Sequence, residues 1–284
     1  MAGIGFVTDH VAADTFRPAA ALFLLTHFHS DHCEGLKADG PPIVCSTLTG
    51  RLIAALHCVD PTRLRTIDPG QSLALDQPAP MTITAFDANH CPGAVMFLIE
   101  TEGQRIVLTG DFRVDDGVRR ITPMLAGADV LYLDATYRGT GLRFPPQAEA
   151  VARVVEICRG ASAGVALGVY TIGKNRVLHA AHEVLGAPFY VPRDRYRVYE
   201  ILGDAPGCIT DERRATPHSA YGVGYLERYF RPRDETVVVP TGWAAWRRRA
   251  RPWIHYVPYS EHCDEAELDE FLDLTRPKRW IEVR

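Results

Sequence analysis

The chain has 284 residues, 46% hydrophobic and 23% charged, the composition of a soluble globular protein with a core large enough for one large domain or two smaller ones. Its formal net charge of −4 excludes a protein that coats nucleic acid through bulk positive charge, and no apolar run approaches the roughly 20 residues of a membrane helix. The seven cysteines are dispersed without C-x-x-C spacing, and no basic stretch followed by an apolar core opens the chain, so reduced thiols and an intracellular home are expected.

Along the chain, residues 21–25 (Ala-Leu-Phe-Leu-Leu) read as a buried strand. Thr26-His27-Phe28-His29-Ser30-Asp31-His32 follows directly, which puts three histidines and an aspartate in the loop leaving a strand end. Imidazole and carboxylate are the usual ligands of Zn²⁺ and similar ions, and a set without cysteine leaves the metal Lewis-acidic, suited to hydrolysis rather than structural stapling. Strands are expected at 81–87, which alternates, at 94–100 and 105–109, which flank a hairpin at Thr101-Glu102-Gly103-Gln104, and at 129–134. His90, Asp111 and Asp134 each follow or end such a strand, so ligand-type side chains gather at one edge of a sheet.

Composition shifts near Phe144-Pro145-Pro146. A helix over 147–158, a strand over 164–170, a helix from Gly173 toward Leu185, a helix over 194–202 and a strand over 236–239 then alternate as in parallel βαβ units. Residues 145–242 are read as a separate α/β lobe inserted into the first domain, to which 253–257 and a helix over 264–274 return. Arg247, Arg248, Arg249 and Arg251 lie between Trp246 and Trp253, and Arg193, Arg195 and Arg197 interleave with Tyr196 and Tyr199. Arginine beside aromatics suits a phosphate backbone and unstacked bases, and equally a solvated charged face. Cys33, Cys91 and Cys263 each follow a histidine and are expected as small buried fillers rather than ligands; Asp87 and His57 are expected as structural polar residues.

The pattern His-x-His-x-Asp-His resembles the metallo-β-lactamase superfamily. In the form Leu25-Thr26-His27-Phe28-His29-Ser30-Asp31-His32 it resembles more narrowly the DNA-repair nucleases of the Artemis/Apollo type, which carry a β-CASP insertion. Ala88-Asn89-His90-Cys91-Pro92-Gly93-Ala94, Thr109-Gly110-Asp111-Phe112-Arg113, Tyr132-Leu133-Asp134-Ala135-Thr136-Tyr137, Tyr170-Thr171-Ile172-Gly173-Lys174, Pro240-Thr241-Gly242-Trp243 and Pro258-Tyr259-Ser260-Glu261-His262 are similar to later segments of that family, in its order. The resemblance implies an α/β fold: an αββα metallo-β-lactamase sandwich formed by 1–144 and 243–284, with 145–242 as the β-CASP lobe. In the family the chain continues beyond this point with a final strand and helix.

The resemblance also implies a ligand set. His27, His29 and His90 would hold a first metal, Asp31, His32 and His262 a second, and Asp111 would bridge both. Asp31, His32 and Asp111 would stand closest to the chemistry. Asp134 is expected either behind a ligand histidine, fixing its tautomer, or capping its turn. Asp9, in Val7-Thr8-Asp9-His10, matches the family's first acidic motif and is expected in a supporting role, although His10 departs from the pattern. By the same analogy Thr171, Lys174 and Thr241 would hold a terminal 5′-phosphate, helped by a helix N-terminus. Asn175-Arg176 follows the lysine where the family often has an acidic residue.

The expected activity is metal-dependent phosphodiester hydrolysis on DNA, as a 5′→3′ exonuclease favouring single strands and a 5′-phosphate, in damage or crosslink repair. A structure-selective DNA endonuclease, an RNA-processing enzyme and a small-molecule hydrolase on the same first domain are the alternatives. Zinc is the expected metal, in one or two ions, with manganese or magnesium as the alternative second ion. DNA is the expected partner, membranes are not, and the compartment is nuclear in a eukaryote and cytoplasmic in a prokaryote.

Overall fold

The computed structural model describes residues 4–17, 19–203, 207–247 and 251–283, so Arg248 and Arg249 of the basic cluster lie outside the described residues. The chain divides into two compact units, Met1–Gly141 with Glu261–Arg284, and Leu142–Ser260.

In the first unit, β1 (Gly5–Phe6), β2 (Val11–Ala13), β3 (Leu22–Leu24), β4 (Ile43–Cys45) and, after the helix α1 (Thr47–His57), β5 (Leu64–Thr66) form a five-stranded sheet in that order. All its pairs except β1·β2 are parallel. A second sheet is built from β6 (Ser72–Leu75), β7 (Met81–Asp87), β8 (Val95–Thr101) and β9 (Gln104–Leu108), which are antiparallel neighbours. After α2 (Asp116–Leu125), β10 (Val130–Asp134) joins β9 in parallel.

The two sheets face each other across one core. Leu22, Leu24 and Val44 of the first meet Ile83, Phe97, Ile99 and Leu108 of the second, all 4% exposed or less. Each such side chain removed from water contributes about 1.5–3 kcal/mol before entropy is counted. The opposite face of the first sheet packs Phe23, Ile43 and Cys45 against Ile53 of α1.

The second unit runs through α3 (Gln147–Arg159), β11 (Val165–Val169), α4 (Asn175–Leu185), β12 (Phe189–Tyr190), α5 (Arg193–Leu202), β13 (Ile209–Thr210), β14 (Ser219–Gly222), α6 (Val223–Arg228), β15 (Thr236–Pro240), α7 (Ala244–Arg247) and β16 (Ile254–Val257). Its six strands lie in the order β13-β12-β14-β11-β15-β16, and every pair is parallel. Parallel neighbours need crossovers, which the intervening helices supply.

This sheet moves the expected end of the second lobe beyond 242. Residues 254–257 do not return to the first domain: β16 pairs with β15 from Val237↔Ile254 to Pro240↔Val257, and Ile254 and Tyr256 share a core with Val237 and Val239. A short apolar strand carries no mark of which sheet it completes. The return comes instead at Glu261, after which α8 (Glu265–Thr275) and β17 (Trp280–Val283) rejoin the first unit, with β17 parallel to β10 at the sheet's edge. No helix among the described residues is long and apolar enough to cross a membrane.

Candidate metal centre

The candidate ligands sit where strands of the first unit end. β3 hands the chain to Thr26 and His27, and β9 to Gly110 and Asp111. Gly110 has φ +53°, and a Cβ there would lie 2.7 Å from the Thr26 side chain, so only glycine lets the two turns meet this closely. The loop carrying His90 is anchored at both sides: the N-cap of α1, Ser46, donates to Gly93 O at 2.6 Å, and Asn89 Nδ2 donates to Arg113 O at 3.0 Å. Asp87 accepts the Asn89 N–H at 2.6 Å, a structural role. His262 precedes α8, and its segment is clasped to the Asp111 loop: Cys263 N donates to Phe112 O at 3.0 Å, and Val114 N to Cys263 Sγ at 3.3 Å. Phe112 packs on Phe271 of α8 at 4.7 Å, and the buried Arg113 pairs with Glu267 at 3.2 Å.

These constraints bring imidazoles together. His29 Nδ1 lies 2.9 Å from His27 Nε2 and 3.2 Å from His90 Nε2. Around the Asp111 carboxylate stand His32 Nε2 at 3.4 Å, His27 Nε2 at 3.5 Å, His90 Nε2 at 3.6 Å and His262 Nε2 at 4.0 Å. One ligand atom from each of His27, His29, His90 and Asp111 falls within 4.8 Å of the others, and the same holds for Asp111, Asp134 and His262. Asp111 belongs to both groups. Asp31 belongs to neither; its carboxylate is largely exposed and stands 4.0 Å from His32 Nε2.

The far nitrogens of four rings face protein oxygens. His27 Nδ1 is 3.0 Å from Thr26 Oγ1, His90 Nδ1 2.8 Å from Glu261 O, His32 Nδ1 3.0 Å from Asp14 Oδ2 and His262 Nδ1 2.8 Å from Asp134 Oδ2. Such partners keep the proton on Nδ1 and leave the Nε2 lone pair toward the cluster, as ligand histidines require. The donor set therefore fits a divalent cation: nitrogens of His27, His29 and His90 converge with the Asp111 carboxylate, the ligand types zinc takes.

Charge supports the same reading. Burial alone would raise the Asp111 carboxyl, but His262, His27 and His32 around it hold it well below the usual carboxylate range. Burial lowers His32, and Asp14 with Asp111 outweighs it, so that imidazole is held well above its ordinary value. For His262 the balance of burial against Asp134 and Asp111 comes out at about 9. His90 goes the other way, pushed well down by burial and then by the neighbouring His262. Cys33, Cys91 and Cys263 are buried; burial first, then neighbouring carboxylates, pushes their thiols up, Cys33 to about 12, which suits fillers.

Asp134 fills both roles open to it: Oδ2 faces His262, and Oδ1 accepts from Thr136 N at 2.9 Å and Thr136 Oγ1 at 2.6 Å. The supporting role expected of Asp9 is corrected. Asp9 is exposed, whereas the fully buried Asp14 takes that place, accepting from Thr26 N and Thr26 Oγ1, both at 2.8 Å, while facing His32. The register Ala13↔Leu24 puts the residue after β2 beside the start of the histidine loop. The available signal was an acidic residue ending an apolar triplet, the one that marks Asp134.

In the second unit, Lys174 follows β11 and precedes α4. It is buried, has φ +59° ahead of α4, and its ammonium donates to Pro240 O at 2.6 Å and lies 4.0 Å from the Tyr170 ring centre. Thr241, next to Pro240, is buried, and Thr171 is exposed.

A family model described as a beta-lactamase superfamily domain matches residues 7–169. The chain is 34% identical over 275 residues to the "5' exonuclease Apollo" of Gallus gallus, covering 93% of this chain and 58% of that protein. It is 30% identical over 313 residues to the "DNA cross-link repair protein SNM1" of Arabidopsis thaliana, covering 98% of this chain and 64% of that one. It thus spans well short of the full length of either relative. Among solved structures, a protein of unknown function from Enterococcus faecalis V583 superposes over 92% of this chain and 75% of its own with a TM-score of 0.62 at 11% identity, a likeness of fold.

Proposed function

The chain belongs to the beta-lactamase superfamily, and from that membership and its histidine–aspartate cluster we propose that it is a metal-dependent DNA nuclease, a 5′→3′ exonuclease on single strands acting in damage or crosslink repair. The observation that carries the reading is the convergence of four imidazoles within 4.0 Å of one carboxylate, Asp111. The names of the relatives direct it to DNA.

His27, His29 and His90 would hold one ion, His32, His262 and Asp31 a second, and Asp111 both; zinc fits the nitrogen-rich first set. Asp31 owes its assignment to motif order. When bound, such ions neutralise charge on a phosphoryl group and make water a nucleophile near neutral pH. The protein's own part is to fix the rings: Thr26, Asp14, Glu261 O and Asp134 face the far nitrogens of His27, His32, His90 and His262, so these four rings need not reorient during turnover.

The second unit is proposed as the β-CASP lobe, with Thr171, Lys174 and Thr241 holding a 5′-phosphate. The contact of the Lys174 ammonium with Pro240 O supports this, since it joins the segment before α4 to the one containing Thr241. DNA 5′ ends are the proposed partner, and an intracellular site, nuclear in a eukaryote, the proposed location.

The test is cleavage of 3′-labelled single-stranded DNA with and without a 5′-phosphate, against matched RNA. Products shortening from the 5′ end only on phosphorylated DNA are expected. Internal cuts, or indifference to the 5′ end, would remove the phosphate pocket; a preference for RNA would change the substrate; no cutting by metal-loaded protein would overturn the nuclease.

A further inference from the structure

The second unit exposes a row of tyrosines that the proposed chemistry does not use. Ring centres of Tyr190 and Tyr221 lie 6.1 Å apart, those of Tyr221 and Tyr225 4.8 Å, and those of Tyr225 and Tyr229 6.0 Å. The row begins in the protein and ends in solvent. Tyr221 packs, with Phe230, on a core that includes Val223 and Leu226, while Tyr225 is 46% and Tyr229 69% exposed. Tyr225 lies in α6, Tyr221 just ahead of it in β14 and Tyr229 just after it at the C-cap, so the rings follow one another along this segment. Two large exposed rings side by side on a rooted helix are a rigid platform rather than scattered surface residues.

The surrounding charge says what fits there. The Arg213 guanidinium lies 5.6 Å from the centre of the Tyr190 ring. Arg228, Arg231 and Arg233 are exposed beside Tyr229 in sequence. The acidic residue of α6, Glu227, is taken up by Arg247 and the Tyr256 hydroxyl. Open aromatic faces flanked by arginines match a polyanion whose bases are unstacked. A duplex hides those base faces.

We propose that Tyr225 and Tyr229, backed by Tyr221 and flanked by Arg213 and Arg228, form a stacking platform for single-stranded nucleic acid. It rests on the nuclease reading for its choice of partner, and it adds binding residues that reading does not contain.

The test is fluorescence anisotropy with a labelled thirty-nucleotide oligo-dT strand and a duplex of equal length, using full-length protein carrying Asp111→Asn so that nothing is cut. Adding Tyr225→Ala and Tyr229→Ala together weakens single-strand binding about tenfold or more. Tyr225→Phe with Tyr229→Phe retains it, because the ring and not the hydroxyl does the stacking. The salt dependence of the alanine variant keeps its slope, since no phosphate contact is lost, and duplex affinity does not move. Unaltered single-strand affinity in an alanine variant that melts with its parent overturns the platform and leaves a protein partner for the rings. Cleavage by otherwise wild-type protein is scored separately: cutting with ring-independent binding sinks the platform alone, and ring-dependent binding without cutting sinks the nuclease alone.

Discussion

Asp14 shows how one buried carboxylate can govern a site it does not enter. It accepts two hydrogen bonds from Thr26 and faces His32 Nδ1, so it sets both the exit of β3 and one ring's tautomer. Asp14→Asn keeps an acceptor for Thr26 N but offers an N–H where His32 needs an acceptor. The ring then carries its proton on Nε2, toward Asp111. We expect bound metal and cleavage to fall at least tenfold with little change in melting temperature. Asp14→Ala should lose stability as well, on the order of 3 kcal/mol, because buried donors are left unpaired. Asp9→Asn should do neither. Metal analysis beside thermal melts of the three variants checks this, and an inert Asp14→Asn would remove Asp14 from the site. The histidine loop was legible because its ligand-type residues are contiguous. Asp14 was not, because its importance comes from a parallel register that brings β2 beside β3, and nothing near Asp14 in sequence announces that neighbour.

At the scale of elements, the site depends on how closely two turns approach. Gly110 brings the turn after β9 against Thr26, and a Cβ would sit 2.7 Å from that side chain in a left-handed backbone. Gly110→Ala is therefore expected to cost about 2–4 kcal/mol, from overpacking and backbone strain together. It should also displace Asp111, so metal content should fall with the denaturation midpoint. Gly103→Ala, where φ is +82° but no atom lies within 4 Å, should cost only the backbone part, about 1 kcal/mol. Equal losses at the two glycines would mean that close approach is not what matters. The elements that were read, such as the strand over 81–87 and the helix over 147–158, were legible because their patterns are local; α1 and the short strands β4 to β6 were not read. Lys174 was read only as a charge at a helix start, and its burial against Pro240 depends on a contact that no local pattern carries.

For the whole molecule, the composition shift near Phe144 marked where the second unit begins to within three residues of Leu142, but its end was misplaced from 260 to 242. Pro240-Thr241-Gly242 looks like an ending because it breaks a strand; the unit nevertheless runs on to complete its sheet with β16. All the candidate metal ligands lie in the first unit. Chelation by EDTA is expected to abolish cleavage and lower the melting temperature, and added zinc to restore both. At free zinc a hundredfold above Kd the stabilisation is about 2.7 kcal/mol. A melting curve indifferent to chelator, with metal analysis showing that the ion had left, would detach the cluster from stability.

His262 lies beyond the second unit in sequence, as the second residue of the chain that returns to the first. A ribosome adding roughly 5–20 residues per second needs on the order of 10–50 s between making His27 and making His262. Throughout that interval the nascent chain carries an incomplete histidine–aspartate cluster. An abandoned or prematurely terminated product that stops within the second unit lacks one of the four imidazoles around Asp111, however well its first sheets have formed. The order of synthesis thus completes the cluster last.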